Sequence, residues 1–372
     1  MTSTDNSKVP KTHKACVYDN PGSCSIAVRQ VETPEPGPGE VLVKLTHSGI
    51  CHSDYGVMMN TWAHLPSATP QGQVGGHEGV GFVVKVGNGT GSAAVRVGDR
   101  VGIKWVSSAC LACPPCLEGM DGVCFNQRIS GYLTPGTFQQ YVIGPAKRTH
   151  TTCSYVTPVP ESLPGDLAAP MLCAGVTTYA ALRKSGANSG HWVVIAGAGG
   201  GLGTVAVSLG AKVMGYRVIG TDTPSKKDIV LGSGAEHFID VTAHDDESIA
   251  AEVKKLTGHG AKAVIVCTAS NKAYGQALGM LGFGGTVVCV GMPEGDPQPI
   301  ARSYPAVMVA KQASIVASAV GNRREAAEVL GFATRGLVKF PVRTVGMDEL
   351  QSVFESMGRG EISGRVVLDL AR

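Results

Sequence analysis

The glycine-rich segment between residues 197 and 203 most constrains what this chain can fold into. In the stretch VVIAGAGGGLGTVAV, an apolar strand pattern runs into a glycine cluster and then into a stretch with helical spacing. Such a turn lets the backbone approach a pyrophosphate, and the following helix N-terminus supplies free N–H groups. The spacing has one residue more than G-x-G-x-x-G, so a tight turn that packs helix on sheet is the alternative interpretation. The glycines are Gly197, Gly199, Gly200, Gly201 and Gly203.

The position of Asp222 strengthens the dinucleotide interpretation. This residue closes the next apolar strand, 19 residues after Gly203. A carboxylate there accepts hydrogen bonds from both adenosine ribose hydroxyls and repels a 2′-phosphate, which favours NAD over NADP. Lys226 and Lys227 follow closely; they either add a ribose contact or are two solvated lysines, and their charge leaves some use of NADP open.

The distribution of strand-like and helix-like stretches along the chain predicts an α/β protein with two kinds of domain. Residues 1–172 contain short β-prone runs broken by Gly and Pro, typical of an antiparallel, barrel-like β domain. In residues 173–316 apolar strands alternate with helical stretches, as in a doubly wound parallel sheet. Residues 317–372 are mixed and end in SGRVVLDL, a strand that we expect to return to the first domain.

A four-cysteine lobe at residues 108–126 carries the most specific metal signal. The segment CLACPPCLEGMDGVC has the spacing CxxCxxCx7C, and four thiolates this close surround one tetrahedral Zn²⁺ with no open position. The alternatives are an iron–sulfur cluster and a reduced thiol cluster. In bacterial ferredoxin motifs, however, the fourth cysteine comes sooner and precedes proline, whereas Phe125 follows here. The lobe therefore predicts a structural zinc on Cys110, Cys113, Cys116 and Cys124.

Composition favours a cytoplasmic protein that acts on a small molecule. The formal charge is +3 over 372 residues, with no long Lys/Arg run that would indicate nucleic acid or an acidic membrane as a partner. The N-terminal stretch MTSTDNSKVPKTHKA lacks the apolar core of a signal peptide, and no uncharged apolar run approaches the roughly 18 residues of a membrane span. In such a compartment the 11 cysteines are expected to stay reduced.

The stretch THSGICHSDYG raises the question of what Cys51 does. A catalytic zinc needs three protein ligands and one exchangeable position, and His77 and Cys173 are candidate partners for Cys51. Each has an ordinary alternative, because a lone cysteine is usually a small buried apolar residue and a lone histidine a core or surface group. Spacing alone cannot join positions so far apart.

The order of the motifs resembles the zinc-dependent alcohol dehydrogenases of the medium-chain dehydrogenase/reductase superfamily, most closely the yeast-type fungal enzymes. The segments GGHEG, GIKW, the four-cysteine lobe, GHWV, MGYRV and VGMP stand in family order across nearly the whole chain. This resemblance implies a GroES-like, mainly antiparallel catalytic domain, a Rossmann coenzyme domain and a homotetramer. It also implies NAD, two Zn²⁺ per subunit, and reversible hydride transfer between a primary alcohol or aldehyde and NAD.

The resemblance assigns roles to individual side chains. Cys51, His77 and Cys173 match the catalytic zinc ligands, and Glu78 matches a nearby carboxylate able to approach the metal. Asp54 matches the acid that orients the ligand histidine. Ser53 matches the hydroxyl that takes the alcohol proton towards the coenzyme ribose. The coenzyme contacts include His52, Leu202, Val290 and Arg365, in addition to the glycine turn, Asp222, Lys226 and Lys227. The pocket walls are Trp62, Trp105 and Met292; an aromatic core residue is the alternative interpretation of either tryptophan.

Two departures from the family pattern leave the substrate open. Yeast-type enzymes usually end the proton relay with a histidine four residues after the residue matching His52, where this chain has Gly56, which carries no proton. The loop AHLPSATPQGQV is also longer than the family pattern. One alternative is therefore reduction of a bulkier carbonyl in a specialised pathway. The other is a non-catalytic zinc- and nucleotide-binding scaffold, against which the intact ligand set argues.

Overall fold

The computed structural model describes residues 9–62, 65–88, 95–146 and 155–372. The first eight residues, on which part of the signal-peptide argument rests, lie outside the described residues. So do positions 63 and 64 of the pocket loop. None of the helices in the described part of the chain is long and apolar enough to cross a membrane.

The first half of the chain is built mainly from short antiparallel strands. Burial alternates only over the first residues of β1, which ends in a continuous buried run, and seven of the eleven residues of β3 are buried, so both strands pack into the core. Helix α1 follows β3 directly, so it starts at the carboxyl end of that strand. The elements are β1 (Thr12–Tyr18), β2 (Ile26–Glu32), β3 (Glu40–Ile50), α1 (His52–Met59), β4 (Glu78–Val86), β5 (Arg100–Ile103), β6 (Val106–Ser108), α2 (Pro114–Leu117), β7 (Arg128–Ile129), β8 (Tyr141–Pro145) and β9 (Thr157–Pro158).

The second half is a parallel six-stranded sheet in the order β12-β11-β10-β13-β14-β15, with helices between the strands. Central strand β10 is an unbroken apolar run because both its faces are covered; Val193, Val194 and Ile195 are fully buried. The elements are α3 (Gly165–Pro170), a π-helical turn (Met171–Gly175), α4 (Val176–Lys184), β10 (Trp192–Ala196), α5 (Gly203–Lys212), β11 (Arg217–Asp222), α6 (Lys227–Gly232), β12 (His237–Asp240), α7 (Asp246–Thr257), β13 (Ala261–Val266), α8 (Asn271–Met280), β14 (Leu281–Cys289), α9 (Pro305–Lys311) and β15 (Ser314–Ala317).

The C-terminal segment returns to the first sheet. Its elements are α10 (Arg323–Thr334), β16 (Val342–Val345), α11 (Leu350–Gly358) and β17 (Arg365–Asp369). Strand β17 pairs antiparallel with β3, and Val366 lies opposite Ile50. The resulting sheet has the order β16-β17-β3-β4-β5-β9, with β8 on β3. This pairing brings Arg365 next to the end of β3, where Cys51 stands.

The predicted fold class is confirmed: a mainly antiparallel domain is joined to a doubly wound parallel sheet. The glycine turn lies between β10 and α5, at the carboxyl edge of that parallel sheet, where α/β proteins bind their ligands. Close packing there needs glycine, because a Cβ added at Gly203 would lie 2.0 Å from the carbonyl oxygen of Gly197.

Candidate active site

Four buried side chains meet where the two domains face each other. Cys51 precedes α1, His77 and Glu78 stand at the start of β4, and Cys173 lies in the π-helical turn. One ligand atom from each lies within 4.8 Å of all the others. The Sγ atoms of Cys51 and Cys173 are 4.0 Å apart. The fold therefore joins the three candidate ligands that sequence spacing could not join.

Asp54 organises this cluster from the first turn of α1. Its Oδ1 accepts a hydrogen bond of 2.7 Å from Nδ1–H of His77, and its Oδ2 accepts one of 3.0 Å from the backbone N–H of Cys51. A proton on Nδ1 leaves a lone pair on Nε2 of His77. That atom is buried and has no hydrogen-bond partner among the described residues. A buried imidazole nitrogen fixed in this way is typical of a metal ligand.

The electrostatics of the cluster suit a soft cation. The hydrogen bond with Cys173 and the contacts with His77 hold the pKa of the Cys51 thiol well below its usual range, although burial opposes them. Burial opposes a positive charge on His77, but the Asp54 carboxylate and Cys51 outweigh it and raise the pKa of the imidazole. The cluster therefore favours a positive charge, which a cation bound at Nε2 would supply in place of the proton. Two sulfurs and one nitrogen, with one sulfur readily ionised, form a donor set that Zn²⁺ accepts.

Glu78 is held beside the cluster by Arg365. Nη2 of Arg365 donates to both carboxylate oxygens of Glu78, at 2.6 Å for Oε2, and both side chains are buried. Burial raises the pKa of Glu78 to about 7 against the opposing effect of the guanidinium. Nε of Arg365 is buried with no partner among the described residues, and a Cβ at Gly201 would lie 3.0 Å from its Nη1. Arg365 therefore spans the distance from the thiol cluster to the glycine turn.

The cluster opens into a cleft of about 350 Å³ between the domains. Most of the predicted coenzyme and substrate residues line it. They are Cys51, His52, Ser53, Trp62, Gly200, Gly201, Leu202, Lys226, Val290, Met292 and Arg365. Ser53 lies close to the thiols, since its Oγ is 3.6 Å from Sγ of Cys51.

Asp222 and Gly197 line a second cavity of about 230 Å³, which shares Thr268 with the cleft. One Asp222 oxygen accepts the backbone N–H of Gly199 at 2.8 Å, and Nζ of Lys226 lies 4.0 Å from the other oxygen. Lys227 differs, because it is exposed at the start of α6, outside the cleft. The structure therefore brings Lys226, but not Lys227, to the predicted coenzyme residues.

Two tryptophans form an aromatic wall beside the ligand histidine. The ring of Trp105 meets that of His77 edge to face at 4.9 Å, and Trp62 packs on Trp105 at 5.9 Å. Buried Gly56 lies behind Trp62: a Cβ added there would be 2.8 Å from Nε1 of the indole. Trp62 thus occupies the space that a side chain at position 56 needs. Met292 is 44% exposed at the mouth of the cleft.

Sequence reasoning missed several residues that line this cleft, among them Cys267, Thr268, Met357 and Ile362. It also missed Glu294, which contacts the lining residue His52. Nε2–H of His52 donates a hydrogen bond of 3.0 Å to Oε1 of Glu294, in the loop after β14. The only sequence signal was an acid directly after the VGMP motif.

The second thiol cluster is the predicted lobe. The Sγ atoms of Cys110, Cys113, Cys116 and Cys124 lie within 4.8 Å of one another, with the Cys110–Cys124 and Cys113–Cys116 pairs at 3.5 Å. Backbone N–H groups of Cys110 and Asn126 donate to Sγ of Cys124, as they would to a thiolate. Four converging thiols leave no open position, so this cluster fits a structural metal.

The lobe docks on helix α10 of the C-terminal segment. Arg323 Nε lies 3.3 Å from the Asp121 carboxylate, and Asn322 donates a side-chain hydrogen bond of 2.9 Å to the carbonyl of Gly119. The 3-10 turn Asp121–Val123 is therefore tied to the other half of the chain.

Comparison with known proteins gives consistent matches. Residues 37–154 match the alcohol dehydrogenase GroES-like domain model, and residues 201–335 match the zinc-binding dehydrogenase model. Alcohol dehydrogenase 2 of Emericella nidulans is 56% identical over 98% of this chain and 99% of its own length. An alcohol dehydrogenase of Schizosaccharomyces pombe is 39% identical over 98% and 99%. Among solved structures, acetophenone reductase from Geotrichum candidum in complex with NAD superimposes with a TM-score of 0.81 at 28% identity, covering 97% of this chain and 98% of its own.

Proposed function

Since the chain belongs to the zinc-dependent alcohol dehydrogenases of the medium-chain dehydrogenase/reductase superfamily, we propose that it transfers a hydride reversibly between a primary alcohol, or the matching aldehyde, and NAD. Alcohol dehydrogenase activity follows from the family, and this sets the scaffold alternative aside. The observation that carries the proposal is the meeting of Cys51, His77 and Cys173 in one buried cluster, of which Cys51 lines the interdomain cleft.

The residues fit two Zn²⁺ per subunit. At the cleft, the unpartnered Nε2 of His77 and the sulfurs of Cys51 and Cys173 supply three ligands, and the fourth position is left to the substrate oxygen. Glu78 lies within reach of the same position, but Arg365 holds it. In the lobe, four cysteines supply all the ligands of the second ion.

When bound, the catalytic Zn²⁺ acts as a Lewis acid on the alcohol oxygen, and NAD accepts the hydride. Asp54 keeps the proton on Nδ1 of His77, so Nε2 stays a ligand. Ser53 stands beside Cys51 and receives the alcohol proton. Because Gly56 cannot take that proton further, the final step of the relay needs water or another group.

The cleft residues hold the two substrates in contact. Arg365, His52 and the glycine turn bind the pyrophosphate, while Leu202 and Val290 pack on the coenzyme. Asp222 selects NAD by accepting hydrogen bonds from the ribose, and the Lys226 ammonium beside it reduces that selectivity. Trp62, Trp105 and Met292 bound the alcohol pocket and exclude water from it.

Reduction of a bulkier carbonyl is the second candidate. It is favoured by the absence of a relay side chain at Gly56 and by the similarity to a solved reductase named for acetophenone. We also propose a cytoplasmic homotetramer, as the family resemblance implies. The domain boundaries proposed from the sequence, 1–172, 173–316 and 317–372, are supported by the way the strands divide between the two main sheets.

The test is formation of NADH from a graded alcohol series, ethanol to branched and aromatic alcohols, with NADP in parallel reactions. We expect alcohol oxidation with NAD strongly preferred. Turnover restricted to bulky substrates would select the second candidate. If the zinc-loaded protein binds NADH but oxidises none of the alcohols and reduces none of the matching carbonyls, the proposal is wrong.

A further inference from the structure

A hydrogen-bonded pair joins the two domains at the mouth of the cleft. His52 is the first residue of α1 in the catalytic domain, and Glu294 lies 242 positions later in the loop after β14. Nε2 of His52 and Oε1 of Glu294 are 3.0 Å apart. A carboxylate only accepts hydrogen bonds, so this nitrogen carries the proton and donates it to Glu294.

His52 also faces the proposed pyrophosphate position. It lines the cleft together with Gly200, Gly201 and Arg365. Nη2 of Arg365 already serves both oxygens of Glu78, so the Nε2–H of His52 is a second donor for an incoming anion beside the remaining N–H groups of Arg365. In the present arrangement, that donor is engaged by Glu294.

We infer that Glu294 competes with the coenzyme pyrophosphate for the Nε2–H group of His52, and thereby weakens coenzyme binding and speeds coenzyme release. This inference rests on the proposed function. One N–H group cannot serve both anions fully, so the pair must open when the coenzyme binds. A carboxylate that remains close also repels the pyrophosphate. The side chains of His52 and Glu294 are 49% and 30% exposed, so solvent screens the effect and keeps it modest.

The experiment is a fluorescence titration of the zinc-loaded protein with NADH, combined with stopped-flow release. Glu294→Gln removes the charge and keeps the shape of the side chain. Asp296→Asn is the matched control, because it makes the same charge change two residues away on an exposed position of the same loop. We expect Glu294→Gln to lower the Kd for NADH about fivefold and to slow release, with the effect shrinking at high salt. Asp296→Asn should leave Kd within about twofold of wild type.

A double-mutant cycle identifies the partner. In a His52→Leu background, which has no side-chain donor, the Glu294→Gln effect should shrink to the part caused by charge repulsion alone, because the donor for which the carboxylate competes is gone. Equal Kd values for wild type and Glu294→Gln would overturn the inference. Equal changes in the Kd for NADH in Glu294→Gln and Asp296→Asn would overturn the inference as well. A wild-type protein that binds no NADH at all would contradict the proposed function itself.

Discussion

At position 56 the chain has a glycine where yeast-type enzymes usually have a histidine, and the indole of Trp62 fills the space in front of it. A Cβ there would be 2.8 Å from Nε1 and 3.1 Å from Cε2 of the ring. Positions 56 and 62 therefore depend on each other. The relay side chain is absent at Gly56, and the indole of Trp62 occupies its space.

We predict that Gly56→His does not restore the relay. The imidazole would displace Trp62, and overpacking of this kind costs about 1–3 kcal/mol. Thermal unfolding should show the loss, and KM for alcohols should change more than kcat because Trp62 is a wall of the pocket. The double variant Gly56→His/Trp62→Leu should recover most of the stability. Full stability and a faster reaction in the single variant would show that Trp62 yields easily.

At the scale of elements, buried Lys104 ties the end of β5 to β9. Its Nζ donates to the carbonyl of Tyr155 at 3.0 Å and to Oγ1 of Thr157 at 2.7 Å. Burial lowers the pKa of this ammonium to about 8. In the unfolded chain Lys104 keeps its higher, ordinary pKa. At a pH between the two pKa values, the unfolded chain therefore binds the proton more readily than the folded protein does.

The sign of the pH dependence follows from this difference. As the pH rises above about 8, the penalty of burying the charge disappears, so Lys104 should add stability, by up to about 3 kcal/mol over the interval. In Lys104→Met this gain should be missing. The Tm of wild type minus that of the variant should therefore grow between pH 7 and pH 10. A difference that stays constant with pH would mean that Lys104 has an ordinary pKa.

Local patterns predicted some elements well. The apolar run, the glycine cluster and the helical spacing after it are contiguous, and the structure has β10, the turn and α5 there. Two of the helical stretches expected within residues 173–316 are SIAAEVKKLT, which lies in α7, and AYGQALGML, which lies in α8 except for Leu281 at the start of β14. The cysteine lobe was equally local, since its four thiols lie within one short segment and converge on one point.

Contacts between distant segments could not be derived in this way. The pairing of Glu78 with Arg365 depends on β17 returning to β3, and the hydrogen bond between His52 and Glu294 depends on how the two domains face each other. The packing of Trp62 on Gly56 depends on the path of the chain after α1. No periodicity or spacing records these contacts, because they are set by tertiary packing.

At the scale of the whole molecule, we propose that the cleft between the two sheets holds a catalytic Zn²⁺ on Cys51, His77 and Cys173. Three separate segments supply these residues. Asp54 holds the imidazole of His77, and Arg365 holds the neighbouring carboxylate of Glu78. The site therefore exists only when both domains are folded and correctly docked.

The most direct test measures zinc content and NAD-dependent alcohol oxidation on the same preparation of Cys51→Ala. Cys16→Ala is the matched control, because Cys16 is also a buried thiol but contacts the carbonyl of Met347, away from the cleft. We predict that Cys51→Ala loses one of two zinc ions and nearly all turnover, with an unchanged circular dichroism spectrum, while Cys16→Ala keeps both ions and its activity. Unchanged zinc content and turnover in Cys51→Ala would contradict the assignment of this cleft as the catalytic centre.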